Sequence, residues 1–116
     1  MESSPLFVKS YDFLLWLLPQ THRFPRVYRF SLTERLVASA LNMHGAFIAA
    51  GKYRGRTRKT HLLQADVFLE EVRHWLRLSR DLDMLTPRRY AHAVQGLTEI
   101  GRLLGAWLKK EGVSPS

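Results

Sequence analysis

Residues 57–84 read TRKTHLLQADVFLEEVRHWLRLSRDLDM, and within them Leu62, Ala65, Leu69, Val72 and Leu76 recur three and four positions apart. That spacing returns to one side of an α-helix and forms a heptad-like seam, with Phe68, Trp75 and Leu82 beside it. The stretch predicts a helix from about Arg56 or Thr57 to about Met84, approaching ~40 Å at 1.5 Å per residue. Three further segments carry apolar residues at helical spacing, and none sustains an alternation of period two, so the chain reads as all-α.

Upstream, Phe7, Tyr11, Leu14 and Leu18 mark the face of a first helix from about Pro5 to Phe24, widened by Leu15 and Trp16, with Pro19 placed to kink or end it. A second is expected to open at Ser31-Leu32-Thr33-Glu34, which has the capping-box form: a serine oxygen for the Glu34 amide and a carboxylate reaching back. Leu36, Ala40, Met43, Phe47 and Ala50 continue as its core stripe, and Gly51 with Gly55 brackets its end. A fourth opens at Thr86-Pro87, a side-chain cap followed by a proline whose missing N–H is no loss at the first helical position. Its stripe is Tyr90, Val94, Leu97, Gly101, Leu104 and Leu108, and the glycines at 101 and 105 imply a close approach by a helix of the same bundle or of another subunit, the intrachain contact being the plainer reading.

Short connections between long amphipathic helices favour antiparallel neighbours. The expected architecture is therefore one domain over 1–116, an antiparallel up-down-up-down four-helix bundle. Its helices lie at about 5–24, 31–52, 57–84 and 87–110, with a frayed tail at 111–116.

Eighteen lysines and arginines against ten acids leave a net charge of +8, with a pI near 10.5. Clustered positive charge speeds encounter with polyanions and releases their counterions. Thirteen of the eighteen are arginine, whose planar fork matches phosphate and can stack on bases. There is no cysteine, which excludes disulfides and thiolate metal sites and makes a cytoplasmic location the simpler reading. The densest apolar run, Phe13–Leu18, is far shorter than the roughly 20 residues of a bilayer span. Glu2 and the absence of a small-residue cleavage site argue against a signal peptide.

The densest charge feature is the turn Lys52, Arg54, Arg56, Arg58 and Lys59, with Tyr53 among them and no acid. Such a turn can bring arginines and backbone N–H groups onto phosphates while a tyrosine stacks on a base. The plainer reading is a connector whose arginine complements a helix C-terminus. Arg73, Arg77 and Arg80, at i, i+4 and i+7, predict a basic ridge facing away from the seam, with Glu70 and Asp81 or Asp83 able to relieve it. Arg88 and Arg89 extend that region and could join free N–H groups at a helix start in holding an anion. Arg23, Arg26 and Arg29 alternate with Phe24, Tyr28 and Phe30, aromatics that in such a stretch more often pin the linker onto the end of the bundle than stack on bases.

Enzyme chemistry finds little support. His22, His44, His61, His74 and His92 make no metal-ligand spacing beyond the weak Glu70–His74 pair, and no Gly-rich phosphate loop is present. No cofactor is expected.

Trp16-Leu17-Leu18-Pro19, followed by Phe24-Pro25 and Tyr28-Arg29-Phe30-Ser31, resembles the first part of the accessory variability determinant (Avd) proteins of diversity-generating retroelements. Leu76-Arg77-Leu78-Ser79-Arg80-Asp81-Leu82 and Ile100-Gly101-Arg102-Leu103-Leu104-Gly105-Ala106-Trp107-Leu108 are similar too, so the likeness spans nearly the whole chain. It implies a four-helix bundle shared with proteins encoded in 23S rRNA intervening sequences. It further implies a homopentamer that binds RNA and DNA with little sequence preference and partners a reverse transcriptase during mutagenic cDNA synthesis. It supplies no catalytic residues. The alternative is a protein-interaction scaffold of the intervening-sequence type, docking an acidic partner.

Overall fold

Ser4 opens the first helix by accepting the Phe7 amide on its Oγ at 3.4 Å, and Pro5 takes the first helical position. The structure, a computed structural model, describes residues 4–113. Its main helices are α1 (Pro5–Thr21), α2 (Glu34–Lys52), α3 (Gly55–Asp81) and α4 (Pro87–Lys110), with a 3₁₀ turn at Arg26–Tyr28 and a π-helical turn at Arg29–Thr33. The described residues contain no strand. α2 packs on α3, α3 on α4, α4 on α1 and α1 on α2, closing around one apolar core.

The α2 and α3 stripes are as expected: Leu36, Ala40, Met43, Phe47 and Ala50 are buried, and so are Leu62, Ala65, Leu69, Val72 and Leu76. The outer two helices are turned relative to expectation. In α1 the core takes Leu6, Phe13, Leu14 and Leu17, leaving Tyr11 and Leu15 exposed; in α4 it takes Ala93, Leu97, Ile100, Leu104 and Leu108, leaving Val94 exposed. Buried Ser10 accounts for part of the rotation of α1, since its hydroxyl meets His44 Nδ1 at 2.8 Å across the α1–α2 contact.

Several ends differ from the sequence reading. α1 runs through Pro19 and stops at Thr21, not Phe24, because the His22 and Arg23 amides turn to the Pro19 and Gln20 carbonyls and the chain must extend before Pro25. No capping box forms at Ser31. The backbone is already helical there, so the Ser31 hydroxyl donates back to the Tyr28 carbonyl, and the Glu34 amide bonds the Ser31 carbonyl. α3 starts at Gly55, whose φ of +61° suits glycine. It ends at Asp81 rather than Met84, with Asp83 in the left-handed region and the Met84 amide on the Ser79 carbonyl. Thr86 caps α4 as expected, accepting the Arg89 amide at 3.2 Å.

Residues 111–113 are set against the end of α4. Gly112 adopts φ +78°, the Val113 amide bonds the Leu108 carbonyl at 2.9 Å, and Val113 packs on the core, which is a Schellman stop. Residues 114–116, the remainder of the expected frayed segment, lie outside the described residues.

Within one chain, the close approach expected at Gly101 and Gly105 is not helix backbone against helix backbone. A Cβ at Gly101 would meet the Arg73 Nη2 at 2.6 Å, so this glycine makes room for a guanidinium, whereas a Cβ at Gly105 would meet nothing within 4 Å. Gly105→Ala should therefore raise stability, by up to about 1 kcal/mol from helix propensity, read as a higher denaturation midpoint with unchanged slope.

Burial holds the His44 imidazole below its ordinary 6.5. The folded chain then binds that proton less readily than the unfolded chain, so stability is lost as pH falls from about 6.5 through the folded value. Melting temperatures between pH 8 and pH 5 should show this decline, and His44→Gln should flatten it.

Candidate nucleic-acid interface

The α2–α3 connection is two residues long, Tyr53 and Arg54, both extended. It sets the cations of this turn at the meeting of one helix end and one helix start. Lys52, Arg54, Arg56 and Lys59 are exposed, and no carboxylate of the described residues pairs with them. Arg58 is used differently. Its Nε donates to the Ala50 and Tyr53 carbonyls, both at 2.8 Å, its Nη1 lies 3.7 Å from Glu111, and its guanidinium sits 5.6 Å from the Trp107 ring centroid. The plainer reading of the turn thus holds for Arg58, which closes the C-terminus of α2. One face of Tyr53 is covered by His61, stacked at 5.6 Å.

At the other end of α3 the expected ridge does not point away from its neighbours. Arg73, His74, Arg77, Tyr90, Val94 and Thr98 line a groove between α3 and α4. Arg73 is paired with Glu70 and leans over Gly101, while Arg80 is paired with Asp81 at 2.9 Å and lies 4.6 Å from the Tyr90 centroid. Arg77 and Arg88 are exposed, Arg89 is half-buried, and none of the three is paired with a described carboxylate. The N-terminus of α4 offers less to an anion than expected. Thr86 takes the Arg89 and Tyr90 amides and Pro87 has none, so of these first positions only Arg88 keeps a free N–H.

Of the ten cations singled out in the sequence, Arg58, Arg73 and Arg80 hold acids, and the other seven do not. The seven fall into two groups: Lys52, Arg54, Arg56 and Lys59 at the α2–α3 turn, and Arg77, Arg88 and Arg89 about the end of α3 and the start of α4. Exposed ion pairs contribute little stability, so the paired arginines differ from the rest mainly in availability. Away from both groups, the Arg102 fork hydrogen-bonds the Glu99 carboxylate and holds its pKa below the ordinary value.

The linker departs most from expectation. Phe24 is buried and Tyr28 half-buried, as read, but Phe30 is 85% exposed and Val27 79% exposed. Arg23, Arg26, Arg29 and Arg35 are exposed around them. Aromatic–cation alternation alone does not separate Phe30 from its neighbours, and neither does spacing, since Phe24, Val27 and Phe30 stand evenly three apart while only Phe24 is buried.

Among the described residues no group of three or more histidines and acids could hold a metal ion, and no helix is long and apolar enough to cross a membrane. Four helices around one core with unpaired arginines at the turns define a class: small, basic, all-helical proteins with charge concentrated at the helix junctions. A family profile described as bAvd-like matches residues 6–111, and the chain belongs to that family, in agreement with its likeness to the accessory variability determinant proteins. That family is not known as a catalytic one. No curated protein matches the chain.

Proposed function

We propose that the protein is a non-enzymatic accessory component of a diversity-generating retroelement, binding template RNA and cDNA through its unpaired cations and associating with the reverse transcriptase in mutagenic retrohoming. The observation that carries this is the pair of cation groups without acids, within a family whose members accompany such elements. Phosphate contacts of this kind are sequence-independent and salt-sensitive. Binding of labelled RNA and DNA oligonucleotides should fall linearly in log–log form with salt and vary little with sequence. Salt-insensitive or absent binding sinks the proposal.

The helices run up-down-up-down and antiparallel in this reading. Supporting it, Arg58 near the start of α3 meets Trp107 near the end of α4, Arg80 at the end of α3 meets Tyr90 at the start of α4, and Trp16 late in α1 meets His92 early in α4. The protein works in the cytoplasm as a homo-oligomer, a pentamer by family likeness. Val8, Tyr11 and Leu15 on α1 are exposed, as are Leu41 and Ile48 on α2, and His44 beside Tyr11 bridges the two sets. Such contiguous apolar surface is typical of an interface.

The same unpaired cations favour one second reading, an oligomeric scaffold of the intervening-sequence type whose basic surface docks an acidic protein. A reverse-transcriptase gene and a variable repeat beside the coding sequence separate the first from the second; insertion within ribosomal RNA does the reverse.

A further inference from the structure

Phe30 is the most exposed large apolar side chain among the described residues. It is not on a loose loop. Pro25, at φ −58° and ψ 140°, leads into the 3₁₀ turn Arg26–Tyr28, and the π-helical turn Arg29–Thr33 continues directly into α2. Buried Phe24 and Leu32 fix this segment on both sides, so the backbone under Phe30 is set while its ring stands in solvent.

The ring's surroundings are cationic. Arg23, Arg26 and Arg29 are exposed and unpaired with any described carboxylate, and residues 22–33 contain no acid. Glu34, the acid that follows, is itself beside exposed Arg35. An exposed flat ring in a run of exposed arginines suits a ligand that offers π-faces and phosphates in alternation. Unpaired nucleic acid has that chemistry. A duplex keeps its base faces stacked inside and presents only phosphates and groove edges. A second copy of the chain carries a net charge of +8, which disfavours its approach to this acid-free run.

We propose that Phe30 is a stacking platform for an unpaired base, with Arg26 and Arg29 holding the flanking phosphates, so that the protein prefers single-stranded RNA or DNA to duplex. This rests on the nucleic-acid reading above and adds to it which form of nucleic acid is held and by which side chain.

The test measures binding of a labelled thymidine or uridine homopolymer of about 20 nucleotides, and of a DNA duplex of the same length, to the whole protein at one salt concentration. Phe30→Ala should weaken single-strand binding about 10-fold and leave duplex binding within about 2-fold, and Phe30→Trp should restore it. Circular dichroism and light-scattering mass of the alanine variant should match the parent's, since the ring touches little within the chain. Equal losses on both nucleic acids, no loss on the single strand, or a changed mass, which would put the ring against another copy, each overturn the proposal. If the unsubstituted protein binds neither nucleic acid, the functional reading falls and this one with it. If it binds both and Phe30→Ala changes neither affinity, only the platform falls.

Discussion

Replacing Arg77, Arg88 and Arg89 together with glutamine should lower the affinity for single-stranded RNA or DNA by about 100-fold at ~0.1 M salt, and flatten the log–log salt slope by roughly 2. The magnitude follows from counterion release, in which each single-strand phosphate neutralised by a cation contributes about 0.7 of a unit of slope. These three are chosen because no described carboxylate holds them. Arg73 and Arg80 already sit on Glu70 and Asp81, so glutamine at those two positions should change the slope less. Fluorescence anisotropy at several salt concentrations supplies both numbers, with circular dichroism to confirm unchanged helicity. A variant with the parental slope would remove this end of the molecule from the interface.

Phe47→Ala should cost about 3–5 kcal/mol of folding stability. Phe47 is fully buried, on the α2 stripe that packs against α3, and alanine there loses both the burial and the contacts of a ring that little else can replace. Small domains are stable by only about 5–15 kcal/mol, so the variant should unfold at a much lower urea concentration and be partly unfolded at 37 °C. A loss under about 1 kcal/mol would mean that the α2–α3 contact is not the centre of the core. Phe30→Ala, the same chemical change on an exposed ring, should leave the midpoint nearly unmoved.

The contrast between those two phenylalanines also shows what could be read from the residues alone. On α3 charged positions interrupt the apolar ones sharply enough that only one face can be buried, α2 carries no charge between Leu36 and Gly51, and on both helices each stripe residue named from spacing is in the core. α1 is apolar on most sides through Phe13–Leu18, so spacing admits more than one face. The face in use is selected by packing partners far along the chain, such as His44 for Ser10. The capping box at Ser31 was a local signal overruled by the turns that carry the chain into α2.

The charge clusters were legible as composition, and their availability was not. Arg56 and Arg58 stand two apart in one basic run, yet Arg56 is exposed and Arg58 bends back to the last carbonyls of α2. Whether an arginine meets an acid, a carbonyl or an aromatic depends on side-chain direction between helices, which a linear pattern does not encode. The likeness to the Avd proteins identified the family without resolving this, because matching phrases name residues and not the direction their side chains take.

Arg58 itself has a consequence for the cations around it. By tying the end of α2, the start of α3 and the Glu111 turn to one guanidinium, it leaves the two-residue connection little room to move. Lys52, Arg54, Arg56 and Lys59 are then presented from a backbone whose ordering was completed during folding, so an incoming phosphate chain meets a preorganised array and the entropy lost on association is correspondingly smaller.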